Sequence, residues 1–130
     1  MTAATEVHAG ARLQSILEGL AWRVDGLRAA VVGDPNGLPV ASLARGETSL
    51  AATAMATMIL YAAENVASNL GLAGHKDVLI EGGGWKVLVR SLGGGFTLLG
   101  VLDGTVNLGL VRLEIERSTP EMRALLDELA

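Results

Sequence analysis

The chain has 130 residues, half of them hydrophobic and 18% charged, with a formal net charge of -4 and a mean hydropathy of +0.42. One domain of this length buries roughly two thirds of its extended-chain surface, and so few charges leave self-association as the simplest outlet for the apolar surplus. Ten cations scattered along an acidic chain with 3% aromatics give neither a basic stripe nor stacking platforms, which argues against a nucleic-acid partner.

Residues 1–10 are small, polar and unpatterned, and are expected to form a flexible N-terminus. Glu6 and His8 stand where a signal peptide would need an apolar core, and there is no cysteine, so the expected compartment is the cytoplasm. Leu13, Ile16, Leu17, Leu20 and Val24 recur at helical spacing and predict an amphipathic helix ending near Asp25-Gly26. Leu27 to Gly33 reads as a strand, Asp34-Pro35-Asn36-Gly37 as a turn, and Leu38 to Leu43 as a second strand of the same hairpin. Pro39 there suits an edge position.

Ser49 to Leu72 carries one charged side chain, Glu64, and its alanines and unbranched side chains predict a long helix. A helical period puts Ala51, Ala52, Met55, Ile59, Ala62, Ala63 and Val66 on one face, expected to pack on a sheet. Thr53, Thr57, Leu60, Tyr61, Glu64 and Ser68 share the other. That second face is polar yet barely charged, which suggests cover by a partner, with Tyr61 suited to the centre of an interface or to its own domain's surface. Burial within a single domain would also explain the missing charges. A membrane span is disfavoured by Thr53, Thr57, Glu64, Asn65, Ser68 and Asn69. Met55 fits the core, and Met58 fits either face.

Lys76 to Glu81 predicts a short strand, and Trp85 to Leu92 a second one after the Gly82-Gly83-Gly84 turn. Gly93-Gly94-Gly95 turns the chain again into Phe96 to Leu102, apolar on both faces as a central strand would be. Val106, Leu110, Leu113 and Ile115 trace a helix to about Arg117. Thr119-Pro120 then looks like the start of a separate short helix, giving three segments: a flexible 1–10, a domain over 11–117 and a helical extension over 118–130.

The inventory of chemistry is thin. Gly82 to Lys86 lacks phosphate-loop spacing and precedes a strand, so it reads as a hairpin turn. His8 and His75 have no second histidine or cysteine nearby to form a metal set or a nucleophile pair. Asp34 and Asp103 are explained as turn residues rather than as a carboxylate pair. The reading is a non-enzyme without catalytic residues, metal or cofactor.

The order helix-strand-strand-long helix-three strands-helix resembles the Roadblock, dynein light-chain and MglB-like family. So do Gly26-Leu27-Arg28-Ala29-Ala30-Val31-Val32 leading to Asp34-Pro35-Asn36-Gly37 and Val40-Ala41-Ser42, the long Ala-rich helix, and Asn107-Leu108-Gly109-Leu110-Val111-Arg112. The resemblance covers roughly Leu13 to Arg117; the segment after Ser118 departs from it. It implies an α+β sandwich of the profilin/longin kind with one five-stranded antiparallel sheet, plus a short C-terminal helix. It further implies a homodimer or heterodimer joined edge to edge through the short third strand, Val78, Leu79 and Ile80, with two long helices side by side. Such dimers serve small Ras-like GTPases as scaffolds or regulators, or act as adaptors. The competing expectation is a small-molecule-sensing module of similar topology, against which the lack of convergent polar groups counts.

Overall fold

The computed structural model describes residues 2–44, 47–74 and 76–130. The elements are α1 (Ala3–Arg23), β1 (Leu27–Gly33), β2 (Pro39–Ser42), α2 (Glu47–Asn69), β3 (Val78–Glu81), β4 (Trp85–Gly93), β5 (Phe96–Asp103) and α3 (Leu108–Asp127). The strands form one sheet in the order β2-β1-β5-β4-β3, every neighbouring pair antiparallel. The doubly apolar β5 is therefore central, as its sequence predicts. Three consecutive glycines of positive φ, Gly93, Gly94 and Gly95, make the tight β4–β5 hairpin, a backbone path that side chains with a Cβ resist.

Two layers cover the sheet unequally. α1 and α3 share one face, where Leu13, Leu17, Leu88, Leu92, Leu98, Leu102, Met122 and Leu126 are all fully buried. At about 1.5–3 kcal/mol for each such side chain, this layer supplies most of the apolar stabilisation. On the other face α2 alone packs Ala52, Ala56 and Leu60 on Val31, Val89 and Leu99. Small side chains let the helix sit close, and they anchor it with less buried area.

Two expectations are corrected. The first ten residues are helical from Ala3 rather than frayed: Thr2 caps the helix by accepting from the Thr5 N–H, and Ala9 is fully buried. Alanine, the best helix former, supplies the local reason. At the other end there is one helix where two were expected. Thr119 does not cap a new segment; its hydroxyl donates to the Ile115 carbonyl one turn back. Pro120 sits inside α3 at an exposed position, where the carbonyl it leaves unbonded can meet water. Met122, Leu125 and Leu126 are part of the main core, so residues 118–130 complete the layer instead of extending from it.

Candidate functional site

The buried stripe of α2 is rotated from the expected one by roughly one residue step, about 100°. Thr53 is 1% exposed and Leu60 6%, so both face the sheet and are removed from the partner-facing set. The Thr53 hydroxyl donates to the Gly37 carbonyl at 2.7 Å, tying the helix to the β1–β2 turn. Met55, expected in the core, is exposed, as is Val66.

Thr57, Tyr61, Glu64 and Ser68 keep a common row. They line a groove between α2 and the end of the β4–β5 hairpin, closed on its far side by Ser91, Gly94, Gly95 and Phe96, with Leu60 as its floor. Beside this row Leu50, Met55, Met58, Tyr61 and Val66 form the outward face of α2, Met58 being 70% and Tyr61 68% exposed. So apolar a surface is unusual for a helix left to solvent. By length and apolarity alone, Thr48–Asn69 would suffice to span a bilayer. Its sheet-facing stripe is already committed to the domain, which leaves the outer face to be accounted for.

Val78, Leu79 and Ile80 lie on β3, one of the two sheet edges. Leu79 packs towards the α1–α3 layer, whereas Val78 packs on the α2 side with Val87 and Val101. By alternation Ile80, 38% exposed, points to the same side as Val78. An unpaired strand edge thus adjoins the weakly covered face.

The start of β3 is fixed by a charge cluster that the sequence reading missed. Asp77, its side chain 5% exposed, accepts from Arg90 at 2.8 Å and from Arg112 through two bonds of 3.0 Å. Burial pushes the Asp77 carboxyl up, but hydrogen bonds from Arg112 and Arg90, with their charges, carry it below the ordinary value. The only sequence signal was Asp77 before an apolar strand, and its arginines come from β4 and α3. Asp34 and Asp103 are not brought together. Asp34 accepts from the Asn36 and Leu38 N–H groups within its turn, and Asp103, beyond the opposite end of β1, forms a bidentate pair with Arg28. That pair's hydrogen bonds and charge hold Asp103 below the ordinary carboxyl value. Among the described residues no cluster of His, Cys, Asp or Glu could hold a metal ion, and His75 lies outside them.

The Roadblock/LC7 domain model matches residues 13–103. The "Uncharacterized protein MJ0714" of Methanocaldococcus jannaschii is 35% identical over 104 residues, covering 79% of this chain and 87% of that one. Among solved structures, a Roadblock/LC7 domain from Streptomyces avermitilis superposes with a TM-score of 0.82 at 18% identity, over 87% of this chain and 96% of that one. MglB of Myxococcus xanthus gives 0.80 at 18%, over 93% and 92%. The sheet order, the lone α2 layer and the matched residues agree: the chain belongs to the Roadblock/LC7 family.

Proposed function

We propose that this chain is a cytoplasmic homodimeric scaffold that binds a small Ras-like GTPase and regulates it or recruits it to a complex. The observation that carries the reading is the outer face of α2, with Met55, Met58 and Tyr61 presented to solvent next to the groove lined by Thr57, Glu64 and Ser68. Two copies joined through the β3 edges at Val78–Ile80 would set their α2 helices side by side and double that strip. The likeness to MglB supports the same architecture. Regulation in this reading is non-catalytic and proceeds by holding the GTPase's own switch residues in place.

The test is capture of host GTPases on the immobilised protein, with GDP or a non-hydrolysable GTP analogue, followed by calorimetry on what is captured. Tyr61→Ala removes an aromatic anchor and is expected to cost about 2 kcal/mol of affinity, roughly thirtyfold, while the melting curve stays put. Unchanged affinity would remove this face from the site.

A further inference from the structure

Next to the charge cluster, the start of β3, the end of β4 and the middle of α3 border an open cleft of about 380 Å³. Lys76, Arg90, Ser91, Glu116 and Arg123 line it. Arg90 is 8% exposed, and its Nε has no hydrogen-bond partner among the described residues. Its other contacts are the Asp77 bond and a loose approach to Glu116 at 3.7 Å. Lys76 and Arg123 have no carboxylate partner among the described residues; the Arg123 Nε donates instead to the Leu92 carbonyl. Asp77 and Arg112 behind the wall cancel each other. The lining itself sets three cations against one carboxylate and so carries an excess of two positive charges, in a chain whose formal net charge is -4.

We propose that this cleft binds a phosphate dianion, carried by a small phosphomonoester. A dianion matches the charge excess, arginine and lysine donors suit tetrahedral oxygens, and the cleft leaves room for a small ester. A monocarboxylate would leave one charge uncompensated. The cations that carry the proposal, Lys76, Arg90 and Arg123, do not line the α2 groove, so it does not rest on the proposed GTPase.

The experiment titrates inorganic phosphate and, separately, glycerol 3-phosphate into the full chain at fixed ionic strength, with sulfate and chloride as comparisons. Calorimetry and backbone amide shifts provide the readouts. Saturable shifts confined to residues around Lys76, Ser91 and Arg123 are expected. Affinity should fall about tenfold in Lys76→Ala and in Arg123→Ala, rise several-fold in Glu116→Gln, and stay unchanged in Lys86→Ala at the far end of β4. Tighter binding of the ester than of inorganic phosphate identifies the organic group as part of the ligand, and equal binding reduces the site to the free anion and overturns the ester assignment. Lys76 is exposed, so its variant is informative even if loss of the Arg123–Leu92 bond perturbs folding. Absence of saturation, or equal affinity in Lys76→Ala and wild type, overturns the proposal.

Discussion

Asp77 ties three elements of the fold together. One buried carboxylate joins β3 to β4 through Arg90 and to α3 through Arg112. Its carboxyl is held below the ordinary carboxylate range, so its contribution is fully present above about pH 4 and is lost as pH falls through the lower folded value. Asp77→Asn is expected to cost about 3 kcal/mol at neutral pH, because two arginines are left facing an uncharged partner. It should also flatten the acid limb of the stability curve, as read by thermal melts from pH 7 down to pH 2. None of this was legible in the sequence, since a charge before a strand says nothing of what two distant elements bring to it. Thr53 and Met55 teach a related lesson. Polarity assigned the threonine to the outside and the methionine to the inside. The fold reverses both, because a buried threonine can bond its hydroxyl to a carbonyl of the next element while its methyl packs.

Among the elements, strands were read more accurately than helix ends. The five strands follow alternation and glycine turns, which are local signals. Helix boundaries failed where two local rules competed. Thr119-Pro120 has the chemistry of a helix start, yet apolar residues on the core-facing side continue through Ile115, Met122, Leu125 and Leu126, and packing overrode the punctuation. The close seat of α2 can be tested at β1. A Cβ on Gly33 would meet the Thr97 Oγ1 at 2.9 Å and the Thr53 Cβ at 3.1 Å, so Gly33→Ala should destabilise by about 1–3 kcal/mol. Gly100 on β5 is the counterexample. Its added Cβ would meet only ordinary contacts, the nearest being the Leu27 Cδ1 at 3.5 Å, beside a void of about 20 Å³ in the α1–α3 layer. Gly100→Ala should be neutral or stabilise by up to about 1 kcal/mol. Chemical denaturation of the two variants checks the pair, and equal losses would show that the layers are equally tight.

At the scale of the whole molecule, Pro39 pointed to the β2 edge, whereas the β3 edge followed from the family resemblance and not from the order of elements. The seam expected at β3 is a proposal that solution behaviour can decide. Lysine at Val78 or Ile80 would lose water in a paired, apolar edge, so Val78→Lys and Ile80→Lys are each expected to turn dimers into monomers in sedimentation. Dimers that survive both substitutions would place the seam elsewhere. The sheet's central join has its own consequence. β1 and β5 pair across the middle, Val32 against Leu98, although α2 and three other strands separate them in the chain. The N-terminal hairpin and the C-terminal three-strand meander each close locally, whereas the join pays the entropy of a long loop. A growing chain therefore carries an open β1 flank until β5 has been synthesised, and during that interval the β5 of a neighbouring chain has the same complementary edge. Refolding yield is expected to fall as protein concentration rises, with strand-exchanged dimers as the by-product, and separation by size after refolding at several concentrations measures it.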